Sequence, residues 1–551
     1  MTFTHEQNYA YSSRRSVVIS PGGAVASSQP LATEAGASIL RAGGTAADAA
    51  VAVAAALQVT QPCSTGLGGD AFSLYFDAQT RTVSAYNGSG RSPAALTLDR
   101  ALESAEQTDG VPTLPNYHAH TVTVPGAADA WQATHKRFGT LPLSTVLAPA
   151  VRFARHGFSV EPMTARWWAA GAERQLAGKR YGAELTVGGR APRVGERFAN
   201  PGLATVLETL ASEGAAGFYG GWIAERIAEE VAHEGGVMTV EDLSAHRGEW
   251  VEPISVPYGD YTVWECPPNG QGLAALLALQ TYRELREGCA GAADRLHAQI
   301  EAMRLGFADA ARHVADPAFA PAPLSQLLSP GYAARRAGEV VLARRMEHAS
   351  AGVTVGEVGS DTVYFSVVDE HGNGCSFINS NFMGFGTGVV PRGCGFTLQN
   401  RGRGFVLDAG HENGLAPGKR PYHTIIPGLL TTGSGDLAAV FGVMGGMMQP
   451  QGHLQVVSAM VDHRLDPQSA LDAARWQLDG GDPDGIVLVE ESMDSALCDE
   501  LAARGHTLQS VSGAGRAVFG LGQIIAAGDS GLLWCGSDPR GDGTAAPGFC
   551  M

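Results

Sequence analysis

The stretch from Thr362 to Val368 constrains the fold more than any other part of the chain. Its residues are β-branched, aromatic or small, a composition that fits the pleated surface of a strand. A Gly-Ser-Asp turn precedes it, the turn-rich run 369–374 follows, and Cys375–Asn379 then resumes the strand pattern. The pattern predicts a β-hairpin with a hydroxyl-bearing residue at the start of its first strand. Threonine is common at strand ends, so the pattern alone favours a structural role for Thr362.

The N-terminal part of the chain predicts two helices followed by an antiparallel hairpin. Leu31–Ala42 has a helical pattern, and Thr45–Leu57 is small and apolar almost all round, which is typical of a buried helix. Ala71–Phe76 and Arg81–Tyr86 then alternate like the two strands of a hairpin. Later segments predict the strands Phe396–Leu398 and Leu437–Val443 and the helix Gln451–Val461.

A Gly-x-Gly-x-x-Ala spacing follows the predicted strand Tyr261–Glu265 and resembles a dinucleotide-binding turn. Gly270, Gly272 and Ala275 supply it at the start of a predicted helix. A nucleotide site would also need a second strand ending in an acidic residue about 20 positions later. The chain continues there as a helix, so a plain strand-to-helix turn is the better interpretation.

Composition excludes several classes of partner. The net charge of -17 argues against nucleic acid, and no run of apolar residues is long enough to span a membrane. The eight scattered cysteines contain no CxxC pair, and no signal peptide is recognisable, which predicts a cytoplasmic protein with reduced thiols. His411, His423, His453 and His463 fall close together without the spacing of a zinc site, so neither a metal nor a cofactor is predicted.

Motifs along nearly the whole chain resemble the γ-glutamyltranspeptidase family, and they occur in that family's order. The resembling segments are Pro30–Ala32, Ile39–Gly44, Asp48–Ala54, Gly66–Phe72, Val124–Gly126, Gly217–Gly221, Lys419–Pro421, Gly442–Gly446 and the DPRGDG run at 538–543. Within the family, the chain looks most like a bacterial branch of oxamate amidohydrolases and acylase-like members.

The resemblance implies an N-terminal-nucleophile hydrolase, an α/β (α+β) protein with a four-layer αββα sandwich and antiparallel central sheets. It implies a precursor that cuts itself between Asp361 and Thr362. Residues 1–361 would form the large subunit and residues 362–551 the small subunit of one compact unit. The expected partners are a small-molecule amide and water, and the resemblance leaves a higher homo-oligomer open.

The resemblance also assigns the catalytic residues. Thr362 would be the nucleophile in both self-cleavage and turnover, because cleavage frees an α-amine that can accept the proton of its own hydroxyl. Ser380 matches the family's second hydroxyl residue, which hydrogen-bonds the threonine, and an ordinary serine of a polar loop is its alternative role. Gly445 and Gly446 match the glycine pair whose N–H groups form the oxyanion hole, and a strand-to-helix position can aim such donors.

Four residues are candidates for substrate contact. His423 and Thr424 stand where the family has two serines that help to hold the tetrahedral intermediate, and a structural role for His423 is equally compatible. Arg91 lies two positions from the family's carboxylate-binding arginine, and a surface salt bridge is its alternative role. Arg401 stands where transpeptidases have Gln or Glu, and a solvent-facing loop arginine is the alternative there.

Departures from the transpeptidase pattern predict the substrate class. Gly404 replaces the aspartate that binds the glutamyl ammonium, and Phe382 replaces an asparagine that contacts the same group. We therefore expect an amidohydrolase for an amide that carries a carboxylate but no α-ammonium group, as oxamate does. The alternatives are a genuine γ-glutamyltransferase or glutathione hydrolase of glutathione metabolism, and a catalytically inactive binding relative.

Overall fold

A computed structural model describes residues 15–108, 110–349, 362–528 and 531–549. Its strands, in chain order, are β1 (Val18–Ser20), β2 (Ala24–Ser27), β3 (Asp70–Asp77), β4 (Thr82–Gly88), β5 (Glu106–Thr108), β6 (Val111–Thr113), β7 (Phe158–Ser159), β8 (Arg197–Phe198), β9 (Glu249–Val251), β10 (Ile254–Tyr258), β11 (Tyr261–Glu265), β12 (Val363–Val368), β13 (Gly374–Ser380), β14 (Gly428–Thr432), β15 (Leu437–Met444), β16 (Trp476–Leu478), β17 (Val487–Glu490), β18 (Leu508–Val511), β19 (Leu521–Ala527), β20 (Leu533–Ser537) and β21 (Thr544–Pro547).

The helices, also in chain order, are α1 (Pro30–Arg41), α2 (Ala46–Thr60), α3 (Leu98–Glu103), α4 (Ala127–Phe138), α5 (Leu143–His156), α6 (Pro162–Gly171), α7 (Pro201–Glu213), α8 (Ala215–Tyr219), α9 (Gly221–His233), α10 (Val240–Ser244), α11 (Gly272–Leu285), α12 (Ala292–His313), α13 (Leu324–Leu327), α14 (Pro330–Ala337), α15 (Met448–Val461), α16 (Pro467–Asp472) and α17 (Ser495–Ala503). Among the described residues, none of these helices combines the length and apolar character needed to cross a membrane.

Two antiparallel sheets form the centre of the molecule. One has the strand order β1-β20-β19-β15-β14-β11-β10, and the other has the order β21-β2-β12-β13-β3-β4-β9. The predicted hairpin is the β12–β13 pair at the middle of the second sheet. Its register, from Val363 opposite Asn379 to Val368 opposite Gly374, fixes the side chains that face each layer.

Side chains alternate along β12 between two different layers. Val363, Phe365 and Val367 belong to a core cluster that also contains residues of α1, α2 and α5. Tyr364 instead packs in a cluster with residues of the other sheet, such as Leu429 and Met444. A third cluster joins α11, α12 and α15 to the outer face of that other sheet. The order helix, sheet, sheet, helix confirms the predicted αββα sandwich.

Most predicted elements near the site are present. Every residue of α2 is buried, as its composition indicates, and Thr45 and Asp48 form a capping box at its first turn. The predicted strand Phe396–Leu398 is wrong, because only Leu398 makes an isolated bridge, to Gly68. A methyl group at Gly68 would lie 2.1 Å from the Thr397 carbonyl, so this segment is packed as a tight loop against a glycine.

Strands from both sides of the 361–362 bond are interleaved in both sheets. β12 lies between β2 and β13, and β1 pairs with β20. The predicted cleavage residue Asp361 lies outside the described residues, and the two-subunit boundary remains a prediction. Interleaved strands would keep the two pieces associated after a cut, because separating them would expose both sheets.

Candidate active site

Thr362 lies buried immediately before β12, with 1% of its surface exposed. The register of β12 with β13 continues to bring it opposite Ser380, the last residue of β13. The Thr362 hydroxyl donates to Ser380 Oγ at 3.1 Å. The structure therefore brings together the predicted nucleophile and the predicted second hydroxyl residue.

Ser380 Oγ accepts hydrogen bonds from several directions. The Phe382 N–H donates to it at 2.9 Å and the Arg401 guanidinium at 3.4 Å, in addition to Thr362. Phe382 has a φ of 81°, a left-handed conformation that side-chain-bearing residues rarely adopt. This turn points the Phe382 N–H back at Ser380, so the Ser380 oxygen accepts from that N–H as well as from the Thr362 hydroxyl.

Arg401 is a completely buried cation next to the nucleophile pair. It opens a short 3₁₀ turn, donates to Thr424 Oγ1 at 2.7 Å, and stacks on the Phe382 ring at 4.2 Å. Its Nε has no hydrogen-bond partner in the described part of the chain. Burial lowers the pKa of Arg401 to about 9, and the nearby charge of Asp70 only partly offsets that effect. In the described part of the chain, the direct contacts of this positive charge are two hydroxyl groups and an aromatic ring.

Gly445 and Gly446 lie at the same end of the sandwich as Thr362. Ser366 Oγ donates to the Val440 carbonyl at 3.2 Å, and a methyl group at Gly442 would lie 2.5 Å from the Tyr364 ring. The two strands therefore run in opposite directions across the sheet interface. Extending this register places Thr362 opposite the end of β15, where the glycine pair begins.

The peptide unit between Gly445 and Gly446 presents its N–H away from helix α15. The Gly445 carbonyl accepts from Met448 N at 2.9 Å and the Gly446 carbonyl from Gln449 N at 3.2 Å. Because N–H and C=O point in opposite directions in a peptide unit, the N–H of Gly446 faces away from the helix. Within the described ranges, neither glycine N–H donates to a protein acceptor. Two such donors at a helix N-terminus suit a developing oxyanion.

His423 forms a buried pair with Asp70. The His423 Nε2–H donates to Asp70 Oδ2 at 3.0 Å, and Nδ1 accepts from Ile425 N at 3.4 Å. Burial and the nearby charge of Arg401 together lower the pKa of His423 to about 3, although Asp70 opposes them, so the ring is neutral. Both ring nitrogens are occupied, which favours the structural role for His423. Thr424 instead uses its hydroxyl to hold Arg401.

Asp70 joins the loops around the site. Burial raises its pKa, but the hydrogen bond from His423, the nearby charge of Arg401 and the hydrogen bond from Gln399 outweigh burial and hold the pKa below its ordinary value. Its Oδ1 accepts from the N–H groups of Gly90 and Gly126 at 3.1 and 3.0 Å. The carboxylate is therefore fully engaged by the protein.

Arg91 has acidic partners of its own. Its guanidinium lies 3.1 Å from Asp316 and 3.2 Å from Glu249, and it also donates to the Gly418 carbonyl. In the described ranges it makes no contact with Thr362, Ser380 or Arg401. These contacts match its alternative role as an ion-paired arginine.

The structure contains one buried cluster of possible metal ligands that the spacing of histidines in the sequence did not indicate. His297 and Glu301, one helical turn apart on α12, lie with His506 as the only group of three such ligands found in the described ranges. Arg304 donates to one Glu301 oxygen at 2.9 Å and Met346 N to the other at 2.8 Å. Both carboxylate oxygens are thus engaged, which is typical of an internal polar network.

Comparison with known proteins agrees with this geometry. The Gamma-glutamyltranspeptidase family model matches residues 32–548. The chain belongs to the γ-glutamyltranspeptidase family. It is an enzyme of the N-terminal-nucleophile class that acts on amide bonds, and the family prediction is confirmed.

Three relatives are similar over nearly their whole length. The "Glutathione hydrolase-like YwrD proenzyme" of Bacillus subtilis is 38% identical, over 95% of this chain and 97% of its own length. The "Oxamate amidohydrolase proenzyme" of Klebsiella pneumoniae is 34% identical, over 96% and 99%. The crystal structure of a cephalosporin acylase from Bacillus halodurans superposes with a TM-score of 0.91 at 43% identity, covering 99% of each chain.

Proposed function

We propose that the protein is a self-cleaving N-terminal-threonine amidohydrolase that hydrolyses the amide of a small carboxylate-bearing acid. The observation that carries this proposal is the buried Arg401 cation, which touches Ser380 and Thr424 but, among the described residues, makes no ion pair with a carboxylate. A buried charge is costly unless a counter-charge meets it. A substrate carboxylate would supply that counter-charge beside the Thr362–Ser380 pair.

Self-cleavage would use the Thr362 hydroxyl. Its oxygen attacks the Asp361 carbonyl carbon, the peptide C–N bond breaks, and an ester to Thr362 forms. Water then hydrolyses the ester, which leaves a carboxylate on Asp361 and a free amine on Thr362. The names of two relatives as proenzymes support a processed precursor.

Turnover would repeat the attack on a substrate amide. The Thr362 α-amine, whose ordinary pKa is about 7.7 to 8, takes the hydroxyl proton while the oxygen attacks the substrate carbonyl. The oxyanion would face the N–H groups of Gly445 and Gly446. The C–N bond then breaks, the departing amine takes the proton, and water hydrolyses the acyl ester.

The surroundings of Arg401 favour a substrate without an α-ammonium group. Arg401 would repel an ammonium, and the Phe382 ring is already occupied by the arginine. Arg401 remains the proposed carboxylate contact, because Arg91 has acidic partners within the chain. The names of the oxamate amidohydrolase and cephalosporin acylase relatives support an amide substrate outside the glutamyl class.

One relative favours a second candidate function. The name of the B. subtilis relative contains "glutathione hydrolase-like", which supports a γ-glutamyl amide as the alternative substrate.

The cytoplasmic location and the higher homo-oligomer considered from the sequence remain predictions.

The test offers processed enzyme three substrates and compares kcat/KM. These are oxamate, a glutaryl amide, and the γ-glutamyl amide that differs from the glutaryl compound only by its amino group. We expect at least one of the first two to exceed the γ-glutamyl amide. A clear preference for the γ-glutamyl amide over both would overturn the proposed specificity and favour the second candidate.

Thr362→Ala tests the nucleophile separately. The variant is expected to fold, to stay a single 551-residue chain on a denaturing gel, and to have no amidase activity. Thr362→Ser is the matched control, since it keeps a hydroxyl. An uncut wild-type chain, or an active Thr362→Ala protein, would contradict the assignment.

A further inference from the structure

Gln271 occupies a central position between the two halves of the active site. It is completely buried and precedes α11 in the turn that resembles a dinucleotide motif. Its N–H donates to the His423 carbonyl at 2.9 Å, and the His423 N–H donates to the Asn269 carbonyl at 2.8 Å. The backbone of this turn is therefore fastened to the segment that carries Thr424.

The Gln271 side-chain amide makes three hydrogen bonds. Nε2 donates to the Thr424 carbonyl at 2.5 Å and to the Gly446 carbonyl at 2.9 Å. Oε1 accepts from the Tyr422 hydroxyl at 3.0 Å, which fixes the orientation of the amide. Burial raises the pKa of Tyr422, so its hydroxyl stays protonated as the donor.

These contacts join the cation and the oxyanion donors through one amide group. Thr424 holds Arg401 by its hydroxyl, and Gly446 contributes one proposed oxyanion N–H. Each hydrogen of the Gln271 NH₂ group holds a carbonyl from one of these two segments. The amide thereby sets the separation between the Thr424 segment and the glycine loop.

We propose that Gln271 is the positioning residue that holds the substrate-carboxylate receptor and the oxyanion hole in register. This inference rests on the proposed function of Arg401 and the glycine pair. A substrate anchored at Arg401 brings its carbonyl to the oxyanion donors only if the two segments keep a fixed separation. Gln271 therefore acts on the transition state more than on substrate binding, because the oxyanion forms only there.

The expected signature is a split between kcat and KM. Gln271→Met keeps the length of the side chain and removes both donors, and it should lower kcat for the preferred amide about tenfold to a hundredfold with KM changed less than about threefold. Losing an oxyanion donor outright costs about 10²–10³ in kcat, and displacing one costs less. Tyr422→Phe removes only the group that orients the amide and should lower kcat by less than Gln271→Met does.

Gln271→Glu is expected to have an intermediate effect on kcat. When protonated, a buried carboxyl can donate to only one of the two carbonyls, so we expect kcat between the wild-type and Gln271→Met values, falling further as pH rises and the group ionises. Wild type, under the same pH series, supplies the reference profile.

The matched control is Gln280→Met, a change of a buried glutamine on α11 whose Nε2 donates to the Leu327 carbonyl at 2.8 Å. It should lower the melting temperature without changing kcat. Circular dichroism and intact mass check that every variant is folded and processed. Should Gln271→Met not fold, Tyr422→Phe and Gln271→Glu carry the test.

Two results would overturn the proposal. One is a folded, processed Gln271→Met enzyme with wild-type kcat, and the other is a loss confined to KM. Failure of the proposed substrate class is a separate outcome. If wild type prefers the γ-glutamyl amide, the same kcat and KM comparison is made with that compound, and it still decides the role of Gln271.

Discussion

Arg401 and Arg540 are both buried arginines, but their surroundings are opposite. Arg540 donates to Glu490 at 2.8 Å and to Asp538 at 3.1 Å, and these two acids outweigh burial and raise its pKa above the ordinary value. Arg401 is contacted by hydroxyl groups and a ring, and burial lowers its pKa to about 9. The protein neutralises the first cation itself. Under the proposed function a ligand carboxylate neutralises the second directly, which would distinguish a structural arginine from a binding arginine.

Asp70 is an acid whose charge acts on Arg401, but it does not form a direct ion pair with Arg401 as Glu490 and Asp538 do with Arg540. Asp70 accepts hydrogen bonds from His423, Gln399 and two backbone N–H groups, so its oxygens are saturated. It contributes to Arg401 only through the field of its charge. A substrate carboxylate could make the direct contacts that Asp70 does not.

The largest expected effect is on stability when the neutralised cation is removed. Arg540→Met leaves Glu490 and Asp538 buried with fewer partners, and we expect the free energy of unfolding to fall by about 3 kcal/mol. Arg516 and Arg475 remain beside those acids and limit the loss. Arg401→Met, the matched change, should alter the free energy of unfolding by less than about 1 kcal/mol because no direct ion pair is broken. Urea denaturation measures the free energy of unfolding of both variants. Equal losses would contradict the contrast between the two arginines.

The next effect is stabilisation by a ligand. Glutarate at a hundred times its Kd should raise the free energy of unfolding of wild type by about 2.7 kcal/mol. The same concentration should not stabilise Arg401→Met. Thermal melts over a glutarate titration give the result, with the neutral diamide glutaramide as the control. Equal stabilisation of both proteins would show that the carboxylate binds elsewhere.

A smaller effect concerns pH. The pKa of His423 is about 3 in the folded protein and about 6.5 when unfolded, so the unfolded state binds the extra proton between these values. Above pH 6.5 the protonation of His423 does not reduce stability. As pH falls below 6.5, it lowers the free energy of unfolding by up to about 1.4 kcal/mol per pH unit. Asp70, whose folded pKa is lowered, keeps its own contribution until pH falls below its unfolded value near 4.

His423→Gln should therefore flatten the dependence of stability on pH between about 4 and 6.5. Guanidinium denaturation across this range measures the slope. His463→Gln is the control, because His463 is exposed and lies in the turn after the end of α15. An unchanged slope in His423→Gln would mean that the ring is already charged in the native protein.

The smallest effect is that of the ring under Arg401. Phe382→Leu removes the cation–π contact and should lower kcat/KM for the carboxylated amide by about 2- to 30-fold, since such contacts contribute about 0.5–2 kcal/mol. Phe382→Tyr keeps a ring and should keep most of the activity. Equal losses in both variants would assign the effect to the left-handed backbone instead.

Local patterns predicted the fold well because its central elements are local. The β12–β13 hairpin and the buried α2 follow from alternation and composition within a few residues. The Thr362–Ser380 contact follows from that hairpin, since both residues end the same strand pair.

Contacts between distant segments were not predictable in the same way. Arg91 pairs with Asp316 and Glu249, which are more than a hundred positions away in the chain. No local sequence pattern predicts either partner. The sequence around Gln271 is typical of a plain glycine turn, and its side-chain contacts depend on two segments that lie 153 and 175 residues later in the chain. The sequence identified Arg401 as a candidate, but its burial depends on loops that meet only in the folded protein.

The most direct test of the account compares two substrates that differ only in charge. Processed wild type and processed Arg401→Met are given glutaryl and pentanoyl p-nitroanilide, and kcat/KM is measured for each pair. Losing a charge-assisted hydrogen bond costs about 1.5 to 3 kcal/mol, so wild type should prefer the glutaryl compound about tenfold to a hundredfold. Arg401→Met should show no preference. A glutaryl preference of the same size in both enzymes would contradict the assignment of Arg401 as the substrate's counter-charge.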